Sequence, residues 1–456
     1  MFFKQFKVEG LGCLSYLIGC PKSGEAMVID PKRDYEDYII EAEKNGLRIV
    51  GIIDTHVHAD HISGACELSE KTGAVIYTGK DPDIKFPHKE LKEGDEIILG
   101  NVKLQILETP GHTPYSISIL VTDLSRSNNP NMLFTGDLLF VGSIGRPDLA
   151  GKEILEEQIE NLYKSLHEKV LKLPDYIEIY PAHGEGSLCG KGLSSKLFST
   201  IGFEKNTNPI LKLSYEEFKK ELLSSIPFRP KNFSHIINVN KSGPASLNEL
   251  PKLKKFYVKE IKKFQENGGV LIDLREATCF GSAHIPKSIN IGLSDKSATW
   301  LGTIISPEKE LVLIADNLKD IELATTNFRR AGYDKIVGYV LGINSWVLSG
   351  EDTGFLPQIS VHSLKHVLEK YDNHHVIDVR NDEEWNSGHI KGAIHIPLQK
   401  FFDEEIDIPF KEHISVICGS GYRSNIAGSI LKSKGFKHVY SVIGGMSAWI
   451  KKYPVE

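Results

Sequence analysis

The chain has 456 residues, which is too long for one ordinary domain and predicts two to four domains. With 41% hydrophobic and 25% charged residues it has the composition of a globular protein, and its net charge of −6 provides no basic surface for nucleic acid. No apolar run is long enough to span a membrane, the N-terminus lacks a secretory signal, and the six cysteines have no disulfide-type spacing. We therefore expect a cytoplasmic protein with reduced thiols, which binds neither membrane nor nucleic acid.

Short aliphatic runs alternate with helical stretches through the first half of the chain. The runs predict strands at residues 26–30, 50–54, 102–107, 117–121 and 132–134. Helical periodicity predicts helices at 36–45 and 154–171. This alternation is typical of a layered α/β domain.

Side chains of metal-binding type recur on the loops that follow predicted strand ends. They are His56, His58, Asp60, His61, His112, Asp137 and His183. Imidazole and carboxylate groups are ligands for Zn, Fe and Mn, and the His-x-His-x-Asp-His loop presents four of them together. Isolated surface histidines would not recur in this pattern, so the sequence predicts a metal site at one edge of the domain.

The second half of the chain repeats itself after a predicted linker at 227–251, which is rich in Pro, Asn, Ser and Gly. Four pairs of residues keep their spacing in the repeat: Asp273 with Asp378, His284 with His389, Gly332 with Gly435, and Trp346 with Trp449. Matched spacing predicts two copies of one α/β domain, joined by a linker at 349–358.

The second copy carries a cysteine loop between an apolar run at 414–417 and a helical stretch at 425–434. Such a loop at a helix N-terminus directs backbone N–H groups at one point, and a nearby arginine adds positive charge. Both would stabilise a persulfide anion. We predict Cys418 and Arg423 as catalytic, and a persulfide-binding loop formed by Gly419, Ser420, Gly421 and Tyr422.

The first copy lacks these groups. When Gly332 is aligned with Gly435, Ala315 stands in place of Cys418 and Asp320 in place of Arg423. This copy is interpreted as degenerate, with a scaffolding or channel-shaping role.

The metal motifs resemble the metallo-β-lactamase superfamily over residues 1–240, which implies an αββα sandwich. Its hydrolase branch, which includes glyoxalase II, implies two metals. In that branch His56, His58 and His112 bind the first metal, Asp60, His61 and His183 bind the second, and Asp137 lies between them. Its persulfide dioxygenase branch implies one Fe(II) per chain, bound by His56, His112 and Asp137. In this branch the other four residues surround the iron or mark a vestigial second metal site: His58, Asp60, His61 and His183.

Two stretches resemble the persulfide dioxygenase branch. Gly145-Arg146-Pro-Asp148 resembles its Gly-Arg-x-Asp stretch, and residues 181–190 resemble the form fused to rhodanese domains. They imply that Arg146 and Cys189 bind or relay the persulfide. The glutathione-using enzymes carry Asp-Tyr after the last histidine, whereas Gly184-Glu185 stands here. Bacillithiol or coenzyme A persulfides are therefore expected as readily as glutathione persulfide.

Residues 358–456 resemble a rhodanese sulfurtransferase, in which four residues separate the cysteine from the arginine, as they do between Cys418 and Arg423. The whole order resembles bacterial persulfide dioxygenase–sulfurtransferase fusions of sulfide detoxification. We therefore expect a metallo-β-lactamase-like dioxygenase domain at 1–245, a degenerate rhodanese domain at 246–355 and an active rhodanese domain at 356–456.

The resemblance implies oxidation of a thiol persulfide by O2 to sulfite and on to thiosulfate, in a homo-oligomer, either a dimer or a tetramer. Two alternatives stay open: a dinuclear thioester hydrolase of the glyoxalase II type, and a persulfide sensor or sulfur carrier with a structural metal. Among the remaining thiols, Cys13 and Cys20 border the metal cleft, while Cys66 and Cys279 are expected to be packed. The histidines His88, His167, His374 and His413 are expected to be solvated.

Overall fold

The computed structural model describes residues 1–456 except 9, 191, 225, 227, 372 and 402–405. The described chain forms two compact units, one of residues 1–249 with 329–332, and one of residues 250–328 with 333–456. No described helix is long and apolar enough to cross a membrane.

The first unit contains two six-stranded sheets. The first sheet has the order β1 (Phe2–Val8), β2 (Cys13–Cys20), β3 (Glu25–Ile29), β4 (Arg48–Asp54), β5 (Val75–Gly79) and β6 (Lys89–Leu91). The second sheet contains β7 (Glu96–Leu99), β8 (Val102–Glu108), β9 (Ile117–Asp123), β10 (Met132–Gly136), β13 (Glu178–Pro181) and β14 (Ser199–Thr200), in the spatial order β14-β13-β10-β9-β8-β7. A short hairpin, β11 (Leu139–Phe140) with β12 (Ser143–Ile144), stands beside it.

The central strands, such as β2, β9 and β10, are buried on both faces because each sheet packs on the other and on helices. On β4, Ile53 packs between the sheets against residues such as Phe134, whereas its neighbour Ile52 faces the outer helices. This alternation is the two-residue period of a strand. The outer helices of the first sheet are α1 (Glu36–Lys44) and α2 (Ala65–Thr72), and those of the second are α3 (Leu155–Lys164), α4 (Ile201–Thr207) and α5 (Tyr215–Ser224). The predicted αββα sandwich is confirmed.

The predicted helix at 154–171 continues beyond α3 as a π turn, Ser165–Lys169, and a 3-10 turn, Val170–Lys172. The predicted linker at 227–251 was wrong at its centre, where helix α6 (Asn232–Ser242) forms. Phe233 and Ile236, three residues apart, are buried on one face of this helix, and Gly243 ends it with a positive φ of 89°. Its abundant polar residues concealed the apolar face.

The second unit contains two five-stranded parallel sheets of the same topology. The first has the order β15 (Lys254–Lys255), β19 (Ile336–Leu341), β18 (Leu311–Ala315), β16 (Val270–Asp273) and β17 (Ile289–Asn290). The second has the order β20 (Gln358–Ile359), β24 (His438–Val442), β23 (His413–Ile417), β21 (His374–Asp378) and β22 (Ile394–His395).

The helices of the first copy are α7 (Val258–Glu266), α8 (Ala277–Ser282), α9 (Ser297–Ile304), α10 (Leu318–Arg330) and α11 (Asn344–Leu348). Those of the second copy are α12 (Val361–Lys370), α13 (Asp382–Asn386), α14 (Tyr422–Ser433) and α15 (Gly445–Trp449). Two consecutive sheets of one topology confirm the predicted repeat.

Candidate metal centre and sulfur-transfer loop

Four strand ends place side chains of metal-binding type at one edge of the sandwich. His56 follows β4 of the first sheet, while His112, Asp137 and His183 follow β8, β10 and β13 of the second. All four side chains are buried. The convergence of both sheets at this edge brings together residues that are far apart in the sequence.

His56, His112 and Asp137 form one group, in which a ligand atom of each lies within 4.8 Å of the others. Asp137 Oδ2 lies 3.2 Å from His112 Nε2 and 3.7 Å from His56 Nε2. The opposite ring nitrogens are held from outside: His112 Nδ1 lies 2.8 Å from the Arg146 carbonyl oxygen, and His56 Nδ1 lies 3.0 Å from Thr55 Oγ1. These contacts direct both Nε2 atoms inwards.

The three side chains fit a metal ion. His112 Nε2 and Asp137 Oδ2 are buried without a hydrogen-bond partner, a costly arrangement that a bound cation would relieve. Burial lowers the pKa of His56 and His112, so both imidazoles are neutral near pH 7 and keep a lone pair for a metal. Burial alone would raise the pKa of Asp137, but His183, His112 and His56 hold it below its ordinary value. The carboxylate is therefore ionised.

The remaining predicted ligands lie beside this group, and one of them contacts it: His183 Nδ1 lies 2.6 Å from Asp137 Oδ1. His58 Nε2 lies 3.2 Å from Asp30 Oδ1, and its ring groups with Asp30 and Asp54 instead. Asp60 Oδ1 lies 3.1 Å from His61 Nδ1, and Asp60 Oδ2 lies 2.7 Å from His183 Nε2. His58 is thus not grouped with His56 and His112, as the hydrolase arrangement implies, whereas Asp60, His61 and His183 do lie together.

The Gly145–Arg146 segment packs against the backbone of Asp137 and the ring of His112. A Cβ on Gly145 would lie 1.8 Å from the Asp137 carbonyl oxygen, so only glycine allows this close approach. The Arg146 guanidinium is buried and contacts both oxygens of Asp148, at 2.6 and 2.7 Å. The backbone carbonyl oxygen of Arg146 orients the His112 ring. The structure thus gives Arg146 a positioning contact, while persulfide binding by its side chain stays a prediction.

Cys189 is buried and groups with Asp137 and His183, within 4.8 Å. Burial raises the pKa of its thiol well above the ordinary value, so the thiol form predominates. Its predicted relay role stays a prediction.

Sequence reasoning placed Cys13 only at the border of the metal cleft, and it missed Asp30. Cys13 begins β2 and lies 3.4 Å from Asp60 Oδ2 and 3.5 Å from His61 Nδ1. Asp30, which has a positive φ of 51°, accepts hydrogen bonds from the Thr55 N–H at 2.7 Å and its hydroxyl at 3.0 Å. It thereby orders the loop that carries His56. A polar residue directly after the buried strand β3 was the available signal.

The cysteine loop in the second unit is built as predicted. Cys418 directly follows β23 and is buried, and the Gly421 N–H donates to its Sγ at 3.1 Å. The loop carbonyls point away because α15 binds them: Met446 N donates to the Cys418 oxygen at 2.7 Å, and Ser447 N donates to the Gly419 oxygen at 2.9 Å. With these carbonyls engaged, the Gly421 N–H faces the sulfur.

The Arg423 guanidinium is paired with a carboxylate and so is not free to interact with the sulfur alone. Its two terminal nitrogens each lie 2.6 Å from an oxygen of Glu384, a bidentate ion pair. This carboxylate opposes the expected effect of Arg423 on a persulfide anion. The Gly421 N–H is therefore the group that would contribute most to stabilising negative charge on the Cys418 sulfur.

The first copy touches the loop of the second within the same unit. Tyr422 Oη donates to the Gly292 carbonyl at 2.7 Å, and Asn425 Nδ2 donates to Asn290 Oδ1. Burial raises the pKa of Tyr422 to about 12. Tyr422 thus anchors the loop, with its hydroxyl already engaged.

Comparison with known proteins agrees with this geometry. The metallo-beta-lactamase superfamily matches residues 8–183, and the rhodanese-like domain matches residues 257–349 and 360–452. The mitochondrial persulfide dioxygenase ETHE1 of Bos taurus is 35% identical over 212 residues, which are 45% of this chain and 74% of that protein. The chain belongs to the persulfide dioxygenase family. Its two rhodanese-like domains make it a fused member, as the sequence resemblance implied.

Two further relatives bear on the family assignment. A solved structure of a metallo-beta-lactamase from Staphylococcus aureus subsp. aureus COL is 36% identical, with a TM-score of 0.68, and the match covers 75% of this chain and 98% of that one. A hydroxyacylglutathione hydrolase of Nitrosococcus oceani is 34% identical over 172 residues, or 37% of this chain and 61% of that protein. The hydrolase match is the shorter of the two.

Some minor predictions for this family member were wrong. Cys279, expected to be packed, is exposed on the short helix α8. His374 and His413, expected to be solvated, are partly buried. They lie in a row with His438 because parallel strands place the three in register, and His413 stacks on His438. Their ring centroids lie 6.1 and 4.4 Å apart along the row. His167 is also half-buried, stacked on Tyr163 at 4.1 Å.

Two other minor predictions have mixed outcomes. Cys66 is only partly buried, but it packs against the core of the first sheet, and burial raises its pKa to about 12. His88 is partly buried, and its Nδ1 lies 2.8 Å from the Phe86 carbonyl oxygen.

Proposed function

We propose that this enzyme is a non-haem Fe(II) persulfide dioxygenase coupled to a sulfurtransferase. Residues 1–245 would oxidise a low-molecular-weight thiol persulfide, residues 356–456 would transfer sulfane sulfur, and residues 246–355 would support that loop. The observation that carries the proposal is the grouping of His56, His112 and Asp137 within 4.8 Å, while the Nε2 atom of the adjacent His58 contacts Asp30 instead. Two imidazoles and one carboxylate are the ligand set of mononuclear iron oxygenases.

The chain's own groups define what happens at this centre. Bound there, Fe(II) would supply open coordination positions at which persulfide sulfur and O2 react. The Arg146 carbonyl fixes the His112 ring, and Asp137 Oδ1 lies 2.6 Å from His183 Nδ1, which leaves Oδ2 for the ion. The balanced reaction takes RSSH, O2 and water to RSH, sulfite and two protons. The buried ligands exclude bulk water.

The cysteine loop would perform the second reaction. The Cys418 sulfur attacks the outer sulfur of another RSSH, the S–S bond breaks, and the thiol leaves with the proton. Sulfite then attacks the outer sulfur of the cysteine persulfide, releases thiosulfate and restores the Cys418 thiolate. The Gly421 N–H, at 3.1 Å from Sγ, stabilises negative charge on sulfur. The same cysteine persulfide would also serve the reverse direction, in which sulfane sulfur passes from thiosulfate to a thiol acceptor.

The persulfide carrier is proposed from the Gly184-Glu185 sequence, which replaces Asp-Tyr. Glu185 is exposed after His183, and it places a negative charge where the glutathione-using enzymes carry a tyrosine. Bacillithiol, coenzyme A and glutathione persulfides are the substrates to compare. We further propose that the protein is cytoplasmic and forms a homo-oligomer, either a dimer or a tetramer. Its role would be the detoxification of sulfide.

The decisive experiment measures dissolved oxygen after anaerobic loading with Fe(II) and addition of each persulfide. We expect iron-dependent uptake, with one iron per chain. Asp137→Ala should abolish both iron binding and uptake, whereas His58→Gln, outside the group, should retain most of both. Full iron occupancy without uptake for any persulfide would overturn the proposal.

A second candidate function is a dinuclear thioester hydrolase, favoured by the burial of Asp60, His61 and His183 beside the iron group. Two metals would then activate water against a glutathione thioester. Two tightly bound metals per chain, with thioester hydrolysis that His58→Gln removes, would establish this function instead.

A further inference from the structure

Glu384 lies beside the cysteine loop, and the proposed sulfur transfer does not use it. Its two carboxylate oxygens each lie 2.6 Å from a terminal nitrogen of Arg423. A Cβ on Gly419, the residue next to Cys418, would lie 3.2 Å from Arg423 Nη2 and 3.6 Å from Glu384 Oε1. The ion pair therefore stands directly against the loop that presents the sulfur.

The carboxylate is held in this place by its own helix. The Asn381 N–H donates to Glu384 Oε2 at 3.1 Å, and the Glu384 N–H donates to the Asn381 side chain at 2.8 Å, which forms a capping box at the start of α13. Burial alone would raise the pKa of Glu384, but the Arg423 guanidinium holds it below its ordinary value. The carboxylate is therefore ionised near pH 7 and opposes the positive charge of Arg423.

The first copy provides an independent comparison, because it lacks both partners of this ion pair. Glu384 directly precedes Trp385, whose ring stacks on a histidine. The corresponding ring in the first copy is Phe280, so Cys279 stands in place of the glutamate, and Asp320 stands at the arginine position. The copy without the reactive thiol thus lacks the carboxylate and the guanidinium together, while it retains the stacked rings. The ion pair accompanies the thiol and not the scaffold.

The charge of the molecule that meets the sulfur decides what this ion pair does. Thiosulfate carries a sulfonate directly on the sulfur atom that it transfers, whereas a thiol persulfide carries a CH2 group there. An unpaired guanidinium would bind the sulfonate through two parallel hydrogen bonds. The carboxylate of Glu384 competes for both terminal nitrogens of Arg423 and repels the anion.

We propose that Glu384 makes the loop select thiols and thiol persulfides over sulfur oxyanions, because it neutralises Arg423. The inference rests on the proposed sulfur transfer by Cys418. With either donor, the Cys418 thiolate attacks the outer sulfur, the S–S bond breaks, and the electron pair leaves on a thiolate or on sulfite. Sulfite that arrives as the acceptor meets the same carboxylate, so the thiosulfate-forming step is expected to be the slower half of the cycle.

The test compares two sulfur donors with the full-length protein and requires neither iron nor O2. The sulfur gained by Cys418 in a single turnover is followed by mass spectrometry of the peptide that contains it, with thiosulfate or glutathione persulfide as the donor. Glu384→Gln keeps the shape of the side chain but removes its charge. We expect the half-saturating thiosulfate concentration to fall about 10-fold, while the rate constant with the persulfide changes less than about 3-fold.

Glu383→Gln is the matched control, because it removes the same charge from an exposed side chain one residue away. It should leave the response to both donors unchanged. A structural role of Glu384 would impair both donors alike in Glu384→Gln, and that result would overturn the inference. An unchanged ratio between the two donors would overturn it as well.

The salt dependence of the wild-type protein covers the case in which Glu384→Gln does not fold. A neutralised Arg423 predicts a thiosulfate reaction that changes little with ionic strength, whereas a steep fall would show an unpaired cation and contradict the inference. Wild-type protein that gains sulfur at Cys418 from neither thiosulfate nor any of the three persulfides would overturn the proposed sulfurtransferase itself. The two failures are therefore distinguishable.

Discussion

The two rhodanese-like copies share a scaffold but not a reactive group. Each ends its first central strand with an aspartate that is paired to an arginine two residues later, at 2.6 Å for Asp273–Arg275 and 2.7 Å for Asp378–Arg380. In each, a histidine stacks on an aromatic ring four residues before it, with centroids 3.8 Å apart in the first copy and 3.7 Å in the second. These contacts are retained without the cysteine, so they serve the fold.

The difference lies in one loop. Asp273 pairs with Ile314 and Asp378 pairs with Ile417, so Ala315 and Cys418 occupy the same position after the strand. Helix α10 starts three residues after Ala315, whereas α14 starts four residues after Cys418. The first copy thus lacks the thiol, and its loop is one residue shorter than the cysteine loop of the second copy. It retains Gly292, whose carbonyl oxygen accepts a hydrogen bond from the Tyr422 hydroxyl.

Removal of the sulfur atom should have the largest effect. Cys418→Ser is expected to lower sulfur transfer about 100-fold or more, because no other group in the loop can carry the sulfane sulfur. Oxygen uptake should be unchanged, and the product should shift from thiosulfate to sulfite, as measured by chromatography. Cys279→Ser, the exposed thiol of the first copy, is the matched control and should change neither rate. An unchanged thiosulfate yield in Cys418→Ser would exclude the loop from the main route.

Restoring the lost groups to the first copy sharpens the comparison. In a Cys418→Ser background, Ala315→Cys with Asp320→Arg should leave sulfur transfer at about a hundredth of wild type or less. The shorter loop provides no counterpart of Gly421, which has a positive φ of 121°. Recovery to a substantial share of wild-type transfer would show that the two residues alone make the difference.

Breaking the shared ion pair should destabilise both copies alike. Asp273→Asn and Asp378→Asn each leave a buried arginine without its charge partner, which costs about 3–5 kcal/mol. Hydrogen exchange with mass spectrometry should show faster exchange in the strands of the substituted copy. An unchanged exchange rate in either substituted copy would contradict a structural role of the pair in that copy.

Acid should have the smallest effect, and we expect to see it in the stability of the second copy. Burial, with His413 and His375 nearby, lowers the pKa of His374 to about 4, below its unfolded value near 6.5. The unfolded chain then binds more protons, so stability falls as the pH drops from about 6.5 towards 4. His374→Gln should flatten this dependence in the strands of the second copy, measured by exchange over that range. An unaltered pH profile would contradict the assigned role of this histidine.

The sequence predicted whatever depends on local pattern or fixed spacing. The strands, the ligands at strand ends and the Ala315–Cys418 alignment were of this kind. Contacts between distant segments were missed. Cys13 reaches Asp60 because β2 runs beside the ligand loops, and Glu384 reaches Arg423 from another helix. Three histidines form a row because parallel strands are in register. Spacing along the chain does not record such neighbours.

The division of the three candidate metal ligands between two sheets has a consequence for the assembly of the site. His56 follows β4 of the first sheet, and His112 and Asp137 follow β8 and β10 of the second, so neither sheet alone presents the complete set. The geometry of the group therefore depends on how the two sheets pack against each other, and a substitution in the core between them can disturb it without touching a ligand.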